Sequence, residues 1–130
     1  MSDNKSQERK IVNSRHVLAV PELKQEVNYY IEKLGFKDDF PVPGWAFLSF
    51  GDFKVMLGEC PDDLPARDTG CHSWYAHTLL ENVDEYYEEV KQRGARILTE
   101  IFDAPWGIRE FTVETPHGHR IMFGQVIDRS

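Results

Sequence analysis

Pro105-Trp106-Gly107-Ile108-Arg109-Glu110-Phe111-Thr112-Val113-Glu114-Thr115-Pro116-His117-Gly118-His119-Arg120-Ile121-Met122-Phe123-Gly124-Gln125 carries two runs of alternating apolar and polar residues. Alternation with period two predicts half-buried strands, and Pro-His-Gly supplies the turn between them. The second strand has a counterpart earlier in the chain. Lys54-Val55-Met56-Leu57-Gly58-Glu59 matches Arg120-Ile121-Met122-Phe123-Gly124-Gln125 as base, β-branched, Met, large apolar, Gly, then Glu or Gln. The two methionines lie 66 positions apart, about half the chain, which points to two copies of one module.

Working outward, each hexamer closes the same order of elements. In the first module Ser14 to Val20 is a strand, and Pro21 breaks it at the start of a helix. Leu23, Val27, Tyr30, Ile31 and Leu34 follow helical spacing up to Gly35, with Lys24, Gln25, Glu26 and Lys33 on the wet face. Phe36 to Phe40 is a strand and Pro41 to Gly44 a loop. Trp45 to Phe50 and Phe53 to Gly58 are strands joined at Gly51-Asp52. A polar, Pro- and Asp-rich connection follows over 61–71. In the second module Ser73 to Leu80 is a strand, and Asn82 with Glu85 reads as a capping box. Val83, Tyr86, Tyr87 and Val90 form the apolar stripe of a helix that Gly94 ends. Arg96 to Phe102, Ile108 to Glu114 and His119 to Ile127 complete the set. The predicted class is α+β: two βαβββ modules, 14–60 and 72–127, in one domain over 14–127. Their mixed sheets curl about a concave cleft with the helices outside. Alternation places Val55, Leu57, Ile121 and Phe123 under the helices, and Lys54, Met56, Arg120 and Met122 in the hollow.

Composition bounds the function. The 130 residues suit one domain, and 41% hydrophobic with 28% charged is ordinary for a globular chain. No run approaches the roughly 18 apolar residues of a membrane helix. Residues 1–13 read as a disordered lead-in without the apolar core of a signal peptide, so a cytoplasmic location is expected. The formal charge of −7 repels nucleic acid and anionic membranes. Cys60 and Cys71 are expected to be free thiols. His117 and His119 lie at a hairpin turn, where a solvated role is expected.

The hairpin and the doubled module resemble the vicinal oxygen chelate superfamily, which includes glyoxalase I, extradiol dioxygenases, fosfomycin-resistance transferases and bleomycin-resistance proteins. The resemblance spans about residues 14–127. Pro-Trp-Gly-x-Arg-Glu-Phe, the Pro-x-Gly turn and the Phe-Gly-Gln ending are most similar to the bleomycin-resistance branch. In the superfamily's enzymes the first and last strands of each module hold a divalent metal. Superposition puts Arg15, Met56, Tyr75 and Met122 at those positions, a poor donor set for a hard cation. The resemblance thus implies the fold and a cleft, while these four departures from its ligand pattern argue against a metal; no cofactor and no catalytic residue are expected.

In the bleomycin-resistance branch a planar part of the drug is stacked between aromatic side chains of two subunits. Phe40 and Trp106 fall on the stacking positions and Trp45 on a further aromatic one. Such contacts add about 0.5–1.5 kcal/mol each, and a cation over Trp about 2 kcal/mol. With Met56, Tyr75, His77, Glu110 and Met122 these residues make up the expected ligand-binding set. Several have a plainer alternative: core packing for Phe40, Trp45 and Trp106, a half-buried phenol for Tyr75, a surface carboxylate for Glu110, and for His77 a hydrogen-bonding rather than ligating role. The expected function is metal-free sequestration of a planar, cationic antibiotic-like compound by a homodimer. Two other readings stay open. One is a metal-dependent isomerase, lyase or transferase with displaced ligands His16, Glu59 and His77. The other is a module whose aromatic groove takes a peptide.

Overall fold

The structure, a computed structural model, describes residues 11–127. Most of the expected lead-in, residues 1–10, lies outside them. The first module comprises β1 (His16–Val20), α1 (Leu23–Glu32), β2 (Lys37–Val42), β3 (Trp45–Phe50) and β4 (Phe53–Glu59). The second comprises β5 (Trp74–Leu79), α2 (Val83–Gln92), β6 (Arg96–Asp103), β7 (Ile108–Glu114) and β8 (Arg120–Val126). Each module makes a four-stranded mixed sheet, ordered β1-β4-β3-β2 and β5-β8-β7-β6. The first strand of each module lies parallel to its last, and the other pairings are antiparallel. The α+β class and the doubled module are therefore as the repeat predicts.

Alternation assigns the sheet faces. Leu48, Val55 and Leu57 of one sheet, and Phe111, Val113, Ile121 and Phe123 of the other, are fully buried. They join Tyr30 of α1, Leu34 just past its end, and Val83 and Val90 of α2 in one core. Phe50 and Phe53 of module one pack on Phe123 of module two at ring separations of 6.4 and 6.2 Å. Hydrogen bonds also cross between the modules: Tyr86 donates to the Leu34 carbonyl at 2.6 Å, and the Tyr30 and Tyr75 hydroxyls meet at 2.7 Å. Each sheet thus has one face committed to helix and core, and one left open.

Local chemistry departs from expectation in four places. β2 runs on through Pro41 and Val42, where the sequence predicts a loop. It is an edge strand, where a missing N–H costs no ladder bond. The 61–71 connection contains short 3-10 turns over Ala66–Ser73, broken at Gly70 with φ 64°. Asn82 makes no side-chain cap, because its left-handed φ of 59° is not the extended geometry a capping residue needs. Gln125 Oε1 accepts the Val83 N–H at 3.0 Å instead, and Glu59 Oε2 accepts the Leu23 N–H at 3.0 Å. The last residue of each repeated hexamer therefore caps the helix of its own module.

The fourth departure is at the seam between modules. Glu26, expected on the wet face of α1, is fully buried. Its Oε1 accepts the His117 backbone N–H at 3.1 Å, and its Oε2 lies 3.6 Å from His119 Nδ1. His117 and His119 are buried as well, because the second module's hairpin packs against α1.

Candidate ligand-binding site

The open face of module one begins with a stack. Phe47 on β3 alternates with the buried Ala46 and Leu48, so its ring emerges on the uncovered side. Phe40 lies on it at 4.5 Å and 17° between planes. A register shift between Asp38 and Phe40 turns Phe40 to this face. The Arg15 guanidinium sits 5.2 Å from the Phe47 centroid and pairs with Asp39 at 3.3 Å. Asp39 also accepts from the Ser49 hydroxyl at 2.8 Å. Phe40 remains 47% exposed, leaving aromatic surface open at the end of a braced stack. Trp45 lies on the same face, packed over Gly58, its cross-strand partner. Met56 pairs in register with Phe47 and with Val17.

The open face of module two holds His77, Glu110, Met122 and Trp106. Ala104-Pro105-Trp106-Gly107 is a β-turn closed by Gly107 N–H to the Ala104 carbonyl at 3.1 Å. Proline at its second position presets φ, and Trp106 at the third projects outward, 64% exposed. The indole N–H lies 3.4 Å from Glu110 Oε1, and His77 Nε2 lies 3.2 Å from the same oxygen. Met122 is opposite His77 on one side and Thr112 on the other. Sequence reasoning missed two aromatics on these faces, Phe47 and Trp74. Arg120 stands 5.5 Å from the Trp74 ring. Strand alternation was a signal for Phe47, but the shift that turns Trp74 out was not legible.

Tyr75, expected in the hollow, is on the core side. A register shift between Trp74 and Ala76 reverses the alternation of β5 there. The Tyr75 hydroxyl bonds Tyr30, and its ring meets those of His16 and His119 at 5.5 and 5.8 Å. Burial raises its pKa, so the phenol stays protonated well past the usual range. Register pairs Val17 with Met56 and His77 with Met122, not Arg15 and Tyr75 with the two methionines. The displaced-ligand set does not assemble either. Glu59 is bonded to the N-terminus of α1, and His16 packs on Phe53 and Tyr75. Among the described residues no three His, Cys, Asp or Glu side chains converge as a metal site. Cys60 and Cys71 are unbridged.

The expected ligand set therefore falls into two halves, Phe40, Trp45 and Met56 on one sheet and His77, Trp106, Glu110 and Met122 on the other. Two grooves on the single chain do not join them. One, of about 660 Å³, is bordered by α1 and Trp45. The other, of about 540 Å³, is bordered by His16, Phe53 and His77. Neither includes Phe40, Trp106 or Glu110.

Comparison with known proteins bears on the family. The model of the Glyoxalase/Bleomycin resistance protein/Dioxygenase superfamily matches residues 14–123. The chain belongs to that superfamily. A bleomycin resistance protein of Geobacillus stearothermophilus is 31% identical over 133 aligned positions, covering 90% of this chain and 98% of its own. Bleomycin resistance proteins of Staphylococcus aureus match equally well. Among solved structures, a superfamily member from Alicyclobacillus acidocaldarius superposes with TM-score 0.76 at 18% identity, over 89% of this chain and 92% of that one. The bleomycin-binding protein of bleomycin-producing Streptomyces verticillus, complexed with copper(II)-bleomycin, gives TM-score 0.68 at 19% identity, over 93% and 99%. These two likenesses establish the superfamily fold. Among the described residues no helix is long and apolar enough to cross a membrane.

Proposed function

We propose that this protein is a cytoplasmic homodimer that binds a planar, cationic, antibiotic-like compound and withholds it from its target, without a metal. One observation carries the reading: Phe40 and Trp106 each present open aromatic surface held in place by neighbours. Phe40 is backed by Phe47 and Arg15, and Trp106 is tethered through its indole N–H to Glu110. Such surfaces lose little freedom when a flat ligand stacks on them, so more of the contact energy appears as affinity. The bleomycin resistance relatives at 31% identity support the class of ligand. Because the two halves lie on different sheets, a second copy is the simplest way to bring a module-one face opposite a module-two face. The acidic surface would speed capture of a cation in a salt-dependent manner.

The test is fluorescence titration of chelator-treated protein with bleomycin-type and other planar cationic compounds, with elemental analysis and sedimentation of the untreated sample. Stoichiometric quenching by a dimer, weakened about tenfold or more in Trp106→Ala, is expected. No response to any compound, with one equivalent of a divalent ion bound, would refute the reading and move the search to enzymatic substrates.

A further inference from the structure

Charge balance on the two open faces singles out one carboxylate. Asp39 on module one is paired with Arg15 at 3.3 Å. Glu114 on module two lies 3.1 Å from Arg96 and 3.6 Å from Arg120. Glu110, Thr112 and Glu114 are alternate residues of β7 and share a face, and Glu110 is only 5% exposed. Among the described residues no Lys or Arg reaches it. Its partners are the Trp106 indole and the His77 imidazole, and both meet Oε1. Oε2 has no protein partner among the described residues, and it is not among the fully sealed atoms. The cross-strand residue on β8 is Gly124, which contributes no side chain beside the carboxylate.

A carboxylate this buried is costly unless a positive group meets it. Asp39 and Glu114 have cations supplied by the chain itself; Glu110 has one oxygen free next to an exposed indole. We propose that Glu110 selects the ligand's charge: the amidinium, guanidinium or ammonium of a compound stacked on Trp106 takes the place of His77 as its partner. This rests on the small-molecule reading above and assigns the charge-recognising residue within it. A planar amidinium fits best, since it donates to both carboxylate oxygens while its ring lies on the indole. His77 can yield, because its side chain is about a third exposed and β5 is an edge strand.

Calorimetric titration of the full chain with an aromatic bisamidine and with its uncharged dicarboxamide isostere tests the assignment. The bisamidine should bind about tenfold or more tighter, the range of a charge-assisted hydrogen bond. Glu110→Gln should abolish that preference, bringing the two affinities together. His77→Val, which removes the competing donor, should tighten the bisamidine alone. Equal affinity of wild-type protein for the two compounds would overturn the assignment and leave sequestration standing; so would a Glu110→Gln loss shared equally by both. Weaker bisamidine binding in His77→Val would overturn the exchange. Binding of neither compound would overturn this assignment together with the reading it rests on. The wild-type comparison needs no variant, so it stands even if Glu110→Gln does not fold.

Discussion

Gly58 shows how one missing Cβ shapes the open face of module one. A Cβ built there would lie 2.8 Å from Cζ3 of Trp45, inside contact distance. Gly124, its partner in the repeat, is crowded in the same way: a Cβ there would lie 2.7 Å from Cγ2 of Ile108. The repeated glycine therefore lets a large side chain from the neighbouring strand lie flat on the sheet. Gly58→Ala should push the Trp45 ring away and cost about 1–3 kcal/mol of stability. In a Trp45→Ala background the same substitution should cost much less, which a double-mutant cycle in urea would read directly. Equal costs in the two backgrounds would mean that Trp45 does not pack over Gly58.

The repeated hexamer is also a capping device at the scale of the element. Glu59 and Gln125 lie at the C-terminal ends of β4 and β8, and each side chain reaches the first amide of its module's helix. Glu59 adds a negative charge at the positive end of the α1 dipole. Gln125→Ala should lose about 0.5–2 kcal/mol, as should Glu59→Ala, and the two losses should add because the sites are separate. Asn82→Gly should cost little or even stabilise, since Asn82 caps nothing and holds a φ that glycine adopts freely. If Asn82→Gly proved as costly as Gln125→Ala under denaturant, Asn82 would be the real cap.

Across the whole molecule, aromatic hydroxyls lie at and near the junction between modules. Burial pushes Tyr29 up to about 12 and raises Tyr30, Tyr75 and Tyr86 as well. The folded chain therefore keeps protons that the unfolded chain releases near the ordinary value of 10. The contribution of Tyr29 to stability is intact below pH 10 and is lost as pH rises through about 12, and those of the more deeply buried three persist further. Unfolding free energy should fall over that window, and phenolate absorbance should rise in step with unfolding. Titration of Tyr29, Tyr30, Tyr75 or Tyr86 at the ordinary value while the protein stays folded would contradict the buried junction.

The sequence by itself determined the two-module plan, the strands and helices and the sheet faces, because period-two and period-3.6 patterns are local and were written twice. The family resemblance named Phe40, Trp45 and Trp106 as ligand candidates, and the structure shows how Phe40 and Trp106 are braced. What the sequence could not set was any feature that depends on a neighbour distant in the chain. Glu26 sits in a helical pattern that reads as solvated, yet the second module's hairpin covers it and buries His117 and His119 with it. Tyr75 follows a regular alternation in sequence, but a register shift against β8 turns it inward. Glu110 has the same alternation as Glu114; among the described residues, folding alone decided that Arg96 and Arg120 meet Glu114 while Trp106 and His77 meet Glu110. Periodicity encodes which way a residue faces. What it faces is set by long-range packing, where each contact depends on chain segments tens of residues away.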